Sequence, residues 1–91
     1  MNNAIQNEED WMVYVNGDMV KWREAKVSVF DRAFQYGDGV FEGMRCYDGK
    51  IYKLKEHTDR LFRSAGMIGI KMPISKEEFG EAVKRVVREN G

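Results

Sequence analysis

The spacing of apolar positions changes near residue 54, from a period of two to the period of a helix. Before that point, Trp11 to Val15 alternate as a strand, and Asn16-Gly17 is a strong two-residue hairpin signal because both residues tolerate positive φ. Asp18 to Trp22 is the expected return strand, and Lys26 to Val29 a further short extended piece. Asp31 is placed to cap a brief helix, Arg32 to Tyr36, which Gly37 ends in left-handed geometry. A second hairpin follows, Val40 to Tyr47 returning across Asp48-Gly49 as Lys50 to Lys53. A two-residue turn there sets Tyr47 opposite Lys50, Cys46 opposite Ile51 and Arg45 opposite Tyr52. Beyond residue 54, Leu54, Leu61, Ala65 and Ile68 share one helical face, with His57 and Thr58 on its shoulder. Gly66 and Gly69 weaken the end of that helix and Pro73 marks its exit. Ser75-Lys76-Glu77-Glu78 is a capping box, flanked by Ile74 and Phe79 as a hydrophobic staple. Phe79, Ala82, Val83, Val86 and Val87 form the apolar face of the last helix. Strands first and helices last predict an α+β fold: antiparallel hairpins in a small sheet, with two C-terminal helices packed on it.

Composition narrows the possible partners. Fifteen basic and fifteen acidic side chains cancel, so no global field draws the chain to nucleic acid or an anionic membrane. No apolar run approaches the roughly 20 residues of a membrane span. Met1 to Asp10 is polar and acidic, unlike a signal peptide; it is expected to be a flexible N-terminal segment before one domain over residues 11–91. A single cysteine, Cys46, excludes an intramolecular disulfide and fits a reducing, cytoplasmic setting. The expected pairing with Ile51 makes Cys46 a small buried hydrophobe rather than a nucleophile.

Strand alternation sets Phe41, Gly43, Arg45 and Tyr47 on one face, joined by Tyr52 from the return strand. Aromatic rings around a gap and a guanidinium suit a pocket for a flat ligand or a carboxylate better than an ordinary core. Other motifs carry less. Gly37, Gly39 and Gly43 have neither the spacing nor the helix start of a nucleotide-binding loop, and a tight turn accounts for the first two. His57, on a helix shoulder without Cys or His partners, reads as a structural histidine and supports no metal site. Asp31, Asp38, Glu42, Glu56 and Asp59 offer carboxylates, but nothing in their spacing pairs two of them as acid and base. Taken by themselves, Arg60 and Arg63 are solvated helix charges.

Three stretches go further: VYVNGDMV, AKVSVFDRAFQYGDGVFEGMRCY and LKEHTDRLFRSA. In order and spacing they resemble the opening of the class IV (fold type IV) pyridoxal-phosphate aminotransferases, and most of all the branched-chain amino acid aminotransferases. D-amino acid aminotransferases and aminodeoxychorismate lyases share that scaffold. The resemblance runs from Trp11 to Gly91 and rests on YGDGVFEG followed by EHxxRL. It implies that Arg60 grips the phosphate of pyridoxal 5'-phosphate, and that Tyr36, Phe41, Gly43 and Arg45 line the substrate side-chain pocket. It also implies that the family's Schiff-base lysine belongs to a C-terminal domain, since none of the eight lysines here matches it. The chain is thus expected to be an N-terminal small domain that supplies phosphate and substrate contacts and is inactive alone. A stand-alone oligomerisation or interaction module is the alternative.

The same resemblance implies a homo-oligomer, because relatives cover this sheet with further strands and a second subunit. Exposed strand edges and an aromatic face recruit another copy, and a two-fold dimer closes most simply. Light scattering over a dilution series is therefore expected to give a dimer mass at high micromolar concentration that Phe41→Asp abolishes. A constant monomer mass contradicts this.

Overall fold

The computed structural model describes residues 10–91, so most of the predicted flexible segment lies outside the described residues. The order of elements is β1 (Met12–Val15), β2 (Asp18–Lys21), a 3-10 turn (Trp22–Glu24), α1 (Arg32–Tyr36), β3 (Cys46–Tyr47), β4 (Lys50–Ile51), α2 (Leu54–Met67) and α3 (Lys76–Asn90). The α+β class is as predicted, with the strands in two separate antiparallel pairs, β1–β2 and β3–β4.

Local chemistry accounts for the element ends. Both hairpins turn through two left-handed residues, Asn16 and Gly17 (φ 51° and 91°) and Asp48 and Gly49 (φ 51° and 78°). That is the backbone a tight hairpin needs to match strand twist. The register follows, with Cys46 opposite Ile51 and Tyr47 opposite Lys50. Beyond the ladder, the Tyr52 N–H donates to the Arg45 carbonyl at 2.8 Å. Asp31 caps α1 by accepting from the Ala33 N–H at 2.8 Å, and Gly37 closes it at φ 73°. Two residues on, a Cβ on Gly39 would stand 3.2 Å from the Ala33 Cβ, so the chain returns tightly against α1. In α3, Ser75 and Glu78 exchange the reciprocal hydrogen bonds of a capping box, 2.9 and 3.0 Å.

Three expectations need correction. Residues 26–29 form no strand, and the strand expected over residues 40–47 is ordered as a ladder at Cys46–Tyr47 alone. Alternation favours a strand, but a strand is stable only against a neighbour, and residues 40–45 lie outside both ladders. Phe41 is 90 % exposed, and Cys46 is exposed rather than buried.

The helices carry what core there is. Leu61, Ala65 and Thr58 of α2 are buried, and Phe62 of α2 meets Phe79 of α3 edge-on, ring centres 6.0 Å apart. From α3, the Asn90 side chain reaches β1. Its Oδ1 accepts from the Met12 N–H and its Nδ2 donates to the Met12 carbonyl, each at 2.8 Å, with a further bond to the Val86 carbonyl. The carboxamide thus imitates a neighbouring strand, matching one donor and one acceptor of the same residue.

Asn90→Ala is expected to lose these bonds and lower stability by about 1.5–3 kcal/mol, given roughly 1 kcal/mol net for each. A denaturant titration reading helix and hairpin signals checks it. An unchanged midpoint contradicts the role of this contact.

Candidate active site

α2 presents His57 and Arg60 one turn apart, so both reach the same side of the helix. Facing them is Glu42, from the irregular segment before β3. Arg60 donates through Nε to Glu42 Oε2 and through Nη2 to Oε1, both at 2.7 Å. His57 Nδ1 lies 2.6 Å from the same Oε1. A carboxylate oxygen only accepts, so at that distance Nδ1 carries the proton and donates. It follows that the 3.3 Å approach of Arg60 Nη2 to His57 Nδ1 is not a donated hydrogen bond.

Burial is graded across the cluster. The Glu42 side chain is 8 % exposed, His57 18 % and Arg60 57 %. Hydrogen bonds from Arg60 and then from His57 hold the Glu42 carboxyl far below its usual 4.5, at about 2, against the opposing pull of burial. Glu42 in turn pushes the Arg60 guanidinium further up, so Arg60 keeps its charge. Two of the five guanidinium N–H groups are used on Glu42, on a side chain that remains more than half exposed. Arginine in a two-pronged arrangement is the side chain best shaped to meet a carboxylate or a phosphate.

The structure brings Arg60 against Glu42, and therefore beside Phe41 and Gly43 in the chain. A Cβ on Gly43 would meet nothing within 4 Å, so that position borders open space. Tyr36 is exposed at the end of α1, with the Arg32 guanidinium over its ring at 4.9 Å. Arg32 also pairs with Asp38 at 2.7 Å, which braces the turn after α1. Arg45 is placed by its carbonyl on the β3–β4 hairpin, and Tyr47 meets Tyr52 edge-on at 6.0 Å, as the register predicts. Glu42 is what sequence reasoning left as an unpaired carboxylate, and with it His57 moves from a structural histidine into the cluster. The available signal was the i, i+3 placement of two donors, His57 and Arg60, on one helix face.

A cavity of about 910 Å³ lies elsewhere, between the β3–β4 turn, α2 and α3. None of the residues above lines it. Across it, Asp59 of α2 is paired with Lys55 at 2.9 Å and with Lys76 of α3 at 3.1 Å, which lowers the Asp59 carboxyl. The Asp59–Lys76 pair joins the two helices, while Lys55–Asp59 lies within α2. Among the described residues no cluster of His, Cys, Asp or Glu could hold a metal ion. No described helix is long and apolar enough to cross a membrane.

A group whose folded pKa is depressed contributes stability above its unfolded value and loses it as pH falls toward the folded one. For Glu42 that window runs from 4.5 down to about 2. The stability gap between the wild-type chain and Glu42→Gln is expected to be full at pH 6 and to close through that window, with the Glu42 carboxyl carbon titrating near its lower end by NMR. Ordinary titration near 4.5 contradicts the cluster.

The model of the amino-transferase class IV family matches residues 39–91, more than half of the chain and the span that holds Glu42, His57 and Arg60. A putative branched-chain-amino-acid aminotransferase of Methanocaldococcus jannaschii is 51% identical over 78 residues, 86% of this chain and 27% of that protein. A D-alanine aminotransferase of Staphylococcus epidermidis is 45% identical over 78 residues, 86% of this chain and 28% of its own length. Among solved structures, the branched-chain aminotransferase of the thermophilic archaeon Thermoproteus uzoniensis with norvaline superposes with a TM-score of 0.81 and 42% identity. That match covers 88% of this chain and 28% of the other. The chain thus spans little more than a quarter of the length of the relatives it matches. The family match takes in most of YGDGVFEG, from Gly39, and all of EHxxRL, and the chain belongs to the class IV aminotransferases.

Proposed function

We propose that this chain is the N-terminal small domain of a branched-chain amino acid aminotransferase, which moves an amino group between leucine, isoleucine or valine and 2-oxoglutarate. The single observation that carries this reading is Arg60, charged, half-exposed and held by Glu42, within a family-matched span. Its donor set suits pyridoxal 5'-phosphate: the N–H groups not used on Glu42 can donate to phosphate oxygens while the charge meets the dianion. When bound, that cofactor carries the amino group between the two partners. Arg60 is the residue that would hold its phosphate.

Tyr36, Phe41, Gly43 and Arg45 are assigned to the substrate side. The exposed Phe41 ring and the open space at Gly43 would give a branched side chain an apolar surface and room beside it. Arg45 and Tyr36 would steer the acidic group of glutamate or 2-oxoglutarate, which the same site must also accept. Phe30, Phe34, Tyr36 and Phe41 are each exposed, and a second copy of the chain would cover such apolar side chains, in keeping with a homo-oligomer. Similarity to a D-alanine aminotransferase supports a second reading within the family, transfer from D-alanine. A cytoplasmic enzyme fits the lone cysteine.

Replacing the aligned segment of the Methanocaldococcus jannaschii protein by residues 11–91 separates these readings. The hybrid is expected to turn over leucine with 2-oxoglutarate and to neglect D-alanine, while the 91-residue chain alone turns over neither. Arg60→Ala in the hybrid is expected to weaken pyridoxal phosphate retention by about one to two decades, the usual worth of a charge-assisted two-pronged contact. Unchanged retention in equilibrium dialysis contradicts the role of Arg60, and a preference for D-alanine favours the second reading.

A further inference from the structure

We propose that Glu42, braced by His57, is a positioning residue that presents the Nη1/Nη2 edge of Arg60 to an incoming phosphate. This rests on the reading of Arg60 as the phosphate contact. An exposed arginine ordinarily sweeps a large volume, and fixing its side chain costs entropy that an anion must overcome. Here the cost is met before any anion arrives. The planar guanidinium has two edges able to make paired hydrogen bonds, one formed by Nε and Nη2, the other by Nη1 and Nη2. Glu42 occupies the first with two contacts of 2.7 Å, which leaves the second with parallel donors.

The grading of exposure gives this arrangement a direction. Glu42 is nearly covered, while Arg60 is more than half exposed, so the engaged edge is the inner one. His57 completes the device. Its Nδ1–H holds Oε1 at 2.6 Å, which keeps the carboxylate from rotating away, and it offers Arg60 no acceptor in competition. Three donors on one carboxylate, supplied by one face of α2, make the fork rigid relative to the helix. A preorganised contact binds more tightly than a mobile one with the same atoms.

Two effects of Glu42 have opposite signs, and that makes the proposal decidable. As a nearby negative charge it repels phosphate; as an orienting group it favours phosphate. The probe is inorganic phosphate titrated into the 91-residue chain, with backbone amides and the Arg60 Nε–H followed by NMR. In the wild-type chain the Arg60 Nε–H is expected to exchange slowly with water and to shift on saturation. Glu42→Gln, which removes the repulsion, is nevertheless expected to weaken phosphate binding about three- to tenfold and to release the Nε–H to exchange. Glu42→Asp, which keeps the charge and shortens the reach, is expected to weaken it too. His57→Ala is expected to follow, and His57→Gln, whose amide can still donate to Glu42, to recover most of the loss. The amide spectrum checks the fold of each variant, and Glu42→Asp with the His57 pair carries the comparison if Glu42→Gln unfolds. Unchanged or tighter binding in folded Glu42 variants overturns the positioning role while leaving Arg60 as the phosphate contact. Absence of a phosphate response at Arg60, or a wild-type response that persists in Arg60→Ala, overturns both.

Discussion

A carboxylate that is almost covered by protein ties the irregular part of this chain to its helical part. Residues 40–45 belong to neither ladder, and the polar links that attach them are Glu42 to α2 and the Arg45 carbonyl to Tyr52. Burying a carboxylate is unfavourable unless its oxygens are satisfied and its charge compensated. Arg60 and His57 do both, with three contacts between 2.6 and 2.7 Å. Loss of any one donor would leave part of that burial uncompensated. Phe41 and Gly43, the neighbours of Glu42, inherit their placement from this contact rather than from strand pairing.

Around that anchor the fold is held by thin, specific contacts. Among the described residues Leu61 and Ala65 are the buried apolar side chains, while Phe30, Phe34, Tyr36 and Phe41 stand in solvent. Packing of α2 on α3 through Phe62 and Phe79, and the clamp of Asn90 on Met12, hold helices and first hairpin together. The chain spans little more than a quarter of its relatives' length and leaves several large apolar side chains open to solvent. Tyr36, Phe41, Gly43 and Arg45, assigned to a pocket by resemblance, are each exposed. Arg60 differs from them, because its geometry is already set within the chain by Glu42.

The turns and helix caps, which depend on residues near one another, were legible beforehand. Asn16-Gly17 and Asp48-Gly49 determined two hairpins and the second register, since positive φ at both turn residues admits few alternatives. Asp31 and Gly37 bounded α1, and Ser75 with Glu78 opened α3, because caps satisfy backbone groups within one turn. Two face assignments needed the third dimension. Alternation alone made residues 40–47 a strand and Cys46 a core residue, but a strand needs a neighbour, and the structure offers one for Cys46–Tyr47 only. Glu42 is the clearest case. It lies 15 residues from His57 and 18 from Arg60, and no local spacing joins them. The sequence by itself determined which residues α2 displays, because a helix turns by a constant angle. Only the tertiary structure decided what they meet, because the path of a chain without a ladder depends on long-range charge pairing and not on its own periodicity.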